Sequence, residues 1–119
     1  MDILKYQNQI KETVLDPMTE YMNECGEDCS YGKKDIAKCE SILASYITDL
    51  SEIEEPNDKA IMKLVKKLVL TLNKLNEKCD FELLETDARE AICEIIQNAA
   101  VECGLSADEN DVTEEWREW

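Results

Sequence analysis

A stripe of apolar residues at helical spacing, within residues 57–78, is the feature that most constrains the fold. At about 100° per residue, one helical face carries Ile61, Leu64, Val65, Leu68, Leu72 and Leu75. The opposite face carries six lysines: Lys59, Lys63, Lys66, Lys67, Lys74 and Lys78. Leu70 lies among these lysines, which indicates that the helix has neighbours on more than one side. The pattern predicts a long amphipathic helix with Asn57 as its N-cap.

The remainder of the chain also has the period of helices. Gly and Pro number only 3 and 2, and β-branched or aromatic residues rarely alternate with polar ones, which argues against a sheet. We predict further helices over residues 2–15, 33–53 and 81–103, and a short one from Asp16-Pro17 to near Gly26. The predicted fold is a single all-α domain, residues 1–119, with four long helices and short N-terminal and C-terminal helical segments.

The start of the helix over residues 81–103 has two interpretations. Either Asp80 caps it, or a fresh start occurs at Asp87, whose side chain would pair with Glu90 in a box-like cap. The predicted apolar face is Phe81, Ala88, Ile92, Ile95, Ile96, Ala99 and Cys103, and Gly104 is the expected C-terminal stop.

The C-terminal end holds both tryptophans. After an acidic loop at residues 106–110, a short helix is predicted to start at Asp111 and to place Val112, Trp116 and Trp119 on one face. These side chains either dock onto the core of the protein or anchor a partner, because Trp and Arg are frequent at interface hot spots. The candidate partner-binding residues are Glu114, Glu115, Trp116, Arg117 and Trp119.

The net charge of the chain limits the classes of molecule that it can bind. It has 13 Lys and Arg against 28 Asp and Glu, a net charge of -15, and no His. Nucleic acids and anionic membranes are bound through basic clusters, so we predict neither as a partner and expect a basic or neutral protein instead. Without His, Ser-His-Asp, Cys-His and zinc-hydrolase sites cannot be assembled. We predict no catalytic residue, metal or cofactor. No apolar stretch suits a signal peptide or a membrane span, which predicts a cytoplasmic protein.

Cysteines and acidic pairs offer weaker signals. In the cytoplasm the six cysteines should be reduced thiols. Cys39, Cys79 and Cys103 fall on apolar helix faces and are expected to fill the core. Cys25 and Cys29 lack the Cys-x-x-Cys spacing of metal and redox sites. The spacings Glu52-x-x-Glu55 and Glu82-x-x-Glu85 match the carboxylate pairs of helical Mg²⁺ sites, although such spacings arise often among so many acids.

Three stretches carry a family resemblance. Residues 72–80, then Glu85-Thr-Asp-Ala-Arg-Glu-Ala-Ile-Cys, then Thr113-Glu-Glu-Trp-Arg-Glu-Trp together resemble a family of small helical bacterial proteins of unknown function. The similarity covers about the last 60 residues, and the N-terminal half matches poorly. The resemblance implies a helical fold and a bacterial source but no activity. Some small acidic proteins of this kind resemble immunity proteins for secreted toxins.

Arg89 is the residue of interest within this part. Its guanidinium suits a bidentate carboxylate partner, and we predict that Asp111, Glu114 or Glu115 holds it, which would close the tail onto the fourth helix. Glu85 and Asp87 are local competitors. Glu85, Asp87, Arg89 and Asp111 are therefore the candidate structural residues.

The predicted function is an acidic protein-binding module, for example an immunity-type inhibitor of a basic toxin or enzyme. Acidic inhibitors gain association rate from complementary charge. The expected steering groups are the acids of residues 108–118 together with Glu52, Glu54 and Glu55. One alternative is a structural homo-oligomer that uses the tryptophans or the Leu70 side of the central helix. A second is a Mg²⁺-dependent enzyme similar to helical nucleotide pyrophosphatases.

Overall fold

The computed structural model describes residues 2–106 and 112–119, and it confirms the all-α prediction. The described residues contain no strand and form four helices. Helix α1 consists of α-helical Ile3–Ile10, π-helical Lys11–Leu15 and α-helical Asp16–Cys25, and it is followed by a 3₁₀ turn at Gly26–Asp28. The others are α2 (Lys33–Ser51), α3 (Asp58–Lys78) and α4 (Thr86–Cys103). None of the described helices is long and apolar enough to cross a membrane.

Helix α1 does not break at Asp16-Pro17, so the prediction of two separate helices is wrong. The backbone N–H of Asp16 donates to the carbonyl of Lys11, five residues back, which is the π-helical pattern. Proline in a regular α-helix clashes with the carbonyl one turn earlier. The wider π turn just before Pro17 gives that carbonyl room, and it allows the adjacent side chains of Val14 and Leu15 both to be buried.

Helix α3 begins as predicted. The side chain of Asn57 accepts a hydrogen bond from the backbone N–H of Ala60 at 2.9 Å. Of the predicted apolar stripe, Leu64 is half-buried and the remaining members are fully buried: Ile61, Val65, Leu68, Leu72 and Leu75. Val69, Asn73 and Asn76 are buried on a second side, whereas Leu70 is 40% exposed. The buried face is therefore wider than the predicted stripe, but within the described residues Leu70 does not pack against the core as its position among the lysines suggested.

The hydrophobic core lies where the four helices meet. Helices α2 and α4 each contact all three of the others. The largest fully buried side chains include Tyr6 and Ile10 of α1, Leu43 and Ile47 of α2, Ile61 and Leu72 of α3, and Ile92 and Ile96 of α4. Burial of each such aliphatic side chain contributes about 2 kcal/mol by removing its surface from water.

Of the two starts considered for α4, the one at Phe81 with Asp80 as its cap is wrong, because the chain turns sharply between α3 and α4. Asp80 and Phe81 have φ values of 56° and 63°, in the left-handed region that ends a helix. Asn76 organises this turn: its carbonyl accepts from the N–H of Phe81 at 2.8 Å, and its side chain accepts from the N–H of Leu84 at 3.0 Å. Phe81 is 59% exposed rather than on the apolar face. Helix α4 starts at Thr86, one residue before the alternative start at Asp87, but the predicted side-chain cap does not form. It ends at Gly104 as expected.

The predicted C-terminal helix is also wrong, because residues 112–116 form turns and residues 117–119 continue without regular structure. The backbone groups that would continue a helix bond to Asn73 of α3 instead. The Asn73 side chain donates to the carbonyl of Trp116 at 2.7 Å and accepts from the N–H of Glu118 at 3.1 Å. Asp111 and the acidic loop at residues 107–110 lie outside the described residues.

Candidate functional site

The C-terminal segment, residues 112–119, lies across α3 and α4. Asn73 holds it from α3 through the two hydrogen bonds described above. From α4, the side chain of Gln97 accepts from the N–H of Val112 at 3.3 Å. Thr113 is fully buried, and its hydroxyl is 3.7 Å from the sulfur of Cys93. The segment is therefore attached to both helices by its backbone and by small polar side chains.

Both tryptophans pack against the core while remaining partly exposed. The ammonium group of Lys66 lies 6.0 Å from the centre of the Trp116 ring, and the guanidinium of Arg117 lies 5.6 Å from the centre of the Trp119 ring. These distances suit cation–π contacts. The geometry matches docking onto the core, the first of the two hypotheses for these residues. Exposed carboxylates of Glu114, Glu115 and Glu118 form the outer side of the segment.

Arg117, rather than Arg89, attaches to α4 from this segment. Arg117 Nη1 donates to Cys93 Sγ at 2.9 Å. Arg89 is half-buried and forms no ion pair with Glu114 or Glu115, so that part of the prediction is wrong. Asp111, its third predicted partner, is outside the described residues. Sequence reasoning missed Asn73 and Cys93, although their helical positions adjoin apolar residues and that placement was a usable signal.

A second candidate site is a cavity between α1 and the start of α4. Its volume is about 220 Å³. We call it the tyrosine cleft and define it by two tyrosines and three carboxylates that line it: Tyr21, Tyr31, Glu82, Glu85 and Asp87. Among the residues that the structure describes, no Lys or Arg lines it. The apolar side of the cleft includes Val14, Pro17 and Met18 of α1.

The two tyrosines stack, with ring centres 6.1 Å apart and an angle of 21° between the rings. Burial is the main reason that the pKa of Tyr31 is raised, and electrostatic interaction with Cys25 is the main reason for the raised pKa of Tyr21. Both phenols are therefore neutral donors at physiological pH. Tyr31 is only 6% exposed, and its hydroxyl forms no hydrogen bond within the described residues. Ser30 donates a hydrogen bond to the Glu82 carboxylate.

Tertiary structure assembles this cleft from distant parts of the chain. Continuation of α1 past Pro17 places Met18 and Tyr21 on one wall, and the loop after α1 supplies Tyr31. The turn before α4 brings Glu82 and Glu85 to the other wall. Of the predicted structural residues, Glu85 and Asp87 line the cleft and Arg89 does not. No local sequence signal links the tyrosines to carboxylates more than 50 residues away.

Metal chemistry finds no geometric support in the described part of the chain, which contains no group of three or more candidate ligands. Glu55 lies in the turn after α2, and Glu82 and Glu85 lie in the turn before α4. Neither carboxylate pair therefore lies on successive turns of one helix.

None of the six cysteines forms a disulfide. Cys39 and Cys79 are buried, as predicted, and Cys103 packs partly buried against the core. Burial raises the pKa of Cys39 to about 12 and that of Cys79 to about 11. Cys25 and Cys29 are half-buried beside the loop after α1. Two of the six thiols are thus hidden and hard to ionise.

The four helices, the docked C-terminal segment and the tyrosine cleft define an all-α domain with an acidic surface. Residues 15–119 match the family of unknown function DUF5713, and the chain belongs to that family. The match reaches well beyond the last 60 residues of the predicted resemblance and includes the loop that contains Cys25 and Cys29. No curated protein and no solved structure matches the chain.

Proposed function

We propose that this protein is a cytoplasmic acidic module that binds a basic protein, and that the tyrosine cleft receives a Lys or Arg side chain of that partner. The observation that supports it most is the cleft itself, which combines stacked tyrosines with three carboxylates and has no Lys or Arg among its described lining residues.

The distribution of charge supports the same proposal. Every described Asp and Glu side chain is exposed or half-exposed, and none is buried. Within residues 2–106 one ion pair forms, between Lys11 and Asp16 at 3.2 Å. Most carboxylates therefore face solvent without a cationic partner. A surface of this kind attracts cationic proteins and accelerates their association.

The chemistry of the cleft suits a long cationic side chain. An ammonium or guanidinium group is attracted to the face of an aromatic ring, and Tyr21 presents its ring at 48% exposure. Glu85 and Asp87 would accept charge-assisted hydrogen bonds from the same group. The alkyl part of the side chain would contact Pro17 and Met18, which are apolar lining residues.

The test is binding of a short Arg-Gly repeat peptide, followed by isothermal titration calorimetry at low and at physiological salt. The double variant Glu85→Gln/Asp87→Asn removes two carboxylates from the cleft. Because charge-assisted hydrogen bonds contribute roughly 1.5–3 kcal/mol each, we expect binding at least about tenfold weaker. Tyr21→Ala should weaken it as well, through the lost cation–π contact.

The matched control is Glu90→Gln/Glu94→Gln. It removes the same number of charges from exposed positions of α4 that do not line the cleft. Exposed charge pairs contribute little, so its affinity should fall less than about threefold. Equal losses in the two double variants would show that only overall charge matters and would remove the cleft from the proposal. Binding that is insensitive to salt would remove the electrostatic basis altogether.

Inhibition of a basic toxin or enzyme, as by immunity proteins, is one use of such a module, and it rests on the acidic surface alone. A homo-oligomer is the alternative, and exposed Leu70 on α3 is the feature that favours it. Light scattering over a range of concentrations separates the two. A monomeric mass at all concentrations excludes a stable homo-oligomer. A mass that rises with concentration in the native protein, but not in Leu70→Glu, would favour the homo-oligomer.

A further inference from the structure

A groove between α2 and α3 gathers lysines on a chain whose net charge is -15. Its main cavity, of about 320 Å³, is lined by Lys38, Ser41, Ile42, Thr71, Lys74, Leu75 and Lys78. A neighbouring hollow of about 200 Å³ shares Ser41, Ile42 and Thr71 and adds one lysine and one carboxylate, Lys67 and Asp49. We call this continuous surface the lysine groove. It lies on different elements from the tyrosine cleft, and its charge is opposite.

The lysines of the groove are not neutralised by the acids of the protein. Neither Lys38 nor any lysine of α3 forms an ion pair within the described residues. The side chains of Lys38 and Lys78 are neighbours, and the pKa of Lys38 is lowered mainly by the adjacent Lys78 side chain and its charge. Asp35 opposes this effect but does not reverse it. Adjacent ammonium groups repel each other unless an anion lies between them.

We infer that the lysine groove binds a compact polyvalent anion of the phosphate class. Three lysines line one cavity, and the Ser41 hydroxyl forms no hydrogen bond within the described residues, so it is free to donate to an anion. The Thr71 hydroxyl already donates to the carbonyl of Lys67 at 2.7 Å and is not needed.

The size of the ligand follows from the charge of the remaining surface. At physiological salt, interactions between exposed charges are screened beyond about 8 Å. A small anion in the groove therefore interacts mainly with Lys38, Lys74 and Lys78. A nucleic acid would extend past the groove onto acidic surface and be repelled there. The expected ligand is therefore small and highly charged, like pyrophosphate or a phosphate monoester.

The experiment is calorimetric titration of the full chain with inorganic pyrophosphate, with a thermal melt at each ligand concentration. Phenyl phosphate, titrated in parallel, distinguishes an ester from a free inorganic anion as the preferred form. We expect saturable binding of at least one of them and a rise in melting temperature. Absence of saturable binding of both would overturn the inference.

Two double variants locate the site. Lys38→Gln/Lys78→Gln should weaken binding at least tenfold, whereas Lys59→Gln/Lys63→Gln, which removes the same charge from exposed positions of α3 outside the groove, should stay within threefold. Lys38→Gln/Lys78→Gln removes the repulsion between two like charges, so its melting temperature without ligand should not fall. That measurement checks that the variant is folded. Equal loss in both variants would overturn the site. So would tighter binding of a poly-glutamate peptide than of pyrophosphate, because the groove would then be a protein-docking surface.

Discussion

Replacing Asn73 by alanine should release the C-terminal segment, because this one side chain makes two hydrogen bonds to it. The amide donates to the carbonyl of Trp116 at 2.7 Å and accepts from the N–H of Glu118 at 3.1 Å. Asn73 is 8% exposed, so water reaches these groups poorly. An intramolecular hydrogen bond contributes about 1 kcal/mol net, and a buried group left unpaired costs more.

The expected cost of Asn73→Ala is thus about 2–3 kcal/mol if the segment stays docked. If it detaches, the partly buried Val112, Trp116 and Trp119 also lose their contact with the core, and the cost rises. In a domain of this size, a loss of 1 kcal/mol in the free energy of unfolding lowers the melting temperature by roughly 4 °C. The melting temperature of Asn73→Ala should therefore be about 8–12 °C lower. Removal of residues 112–119 should lower it at least as much.

Urea denaturation followed by circular dichroism gives the free energy of unfolding. Tryptophan fluorescence reports the segment directly, since both tryptophans of the chain lie in it. The control is Asn98→Ala, at an exposed position of α4 with no side-chain hydrogen bond within the described residues. It should change the free energy of unfolding by no more than about 0.5 kcal/mol. If Asn73→Ala behaved like this control, Asn73 would not hold the segment.

Three further predictions concern the core and the turn before α4. The thiols of Cys39 and Cys79 ionise at lower pH in the unfolded chain than in the folded one, so their contribution to the free energy of unfolding should be full below pH 9 and be lost as pH rises toward 12. Urea denaturation at a series of pH values measures this loss, and Cys39→Ala should make the fall of the free energy of unfolding with pH less steep. Tyr46→Phe should cost about 1 kcal/mol in the same assay, since its buried hydroxyl donates to the carbonyl of Ile96 at 2.9 Å; a change near zero would contradict that bond. Phe81→Gly should leave stability unchanged or raise it by about 1 kcal/mol, because φ is 63° there and the ring is exposed, whereas a loss of several kcal/mol would mean that Phe81 is a core residue after all.

Long helices were predictable because a helix that buries one face has apolar residues at regular helical spacing in its sequence. The stripe from Ile61 to Leu75 and the cap at Asn57 are examples, and the structure confirms both. Gly104 ends α4 as predicted for the same kind of local reason, since its φ of 124° suits only glycine.

Errors occurred where a distant residue overrode a local preference. Pro17 is a strong local stop signal, but burial of Val14, Leu15 and Met18 against the core favours a continuous α1 with a π turn. The last residues have the spacing of a helix, but Asn73 takes two of their backbone groups.

The candidate sites divide in the same way. Glu85 and Asp87 were singled out because they are close to Arg89 in sequence. Their position beside Tyr21 and Tyr31 could be seen only in the folded structure. The α3 lysines were visible as one helical face, but Lys38 of α2 joins Lys74 and Lys78 only because α2 packs against α3.

The sequence by itself determined the helical class, the acidic surface and the face that each long helix buries. These properties depend on residues within a few turns of one another and on total charge. Only the tertiary structure decided which helices adjoin, where the C-terminal segment docks, and how the tyrosine cleft and the lysine groove are assembled. Each of these depends on contacts between residues that are far apart in sequence. Such contacts produce no periodic pattern of residue types that could be detected in one sequence.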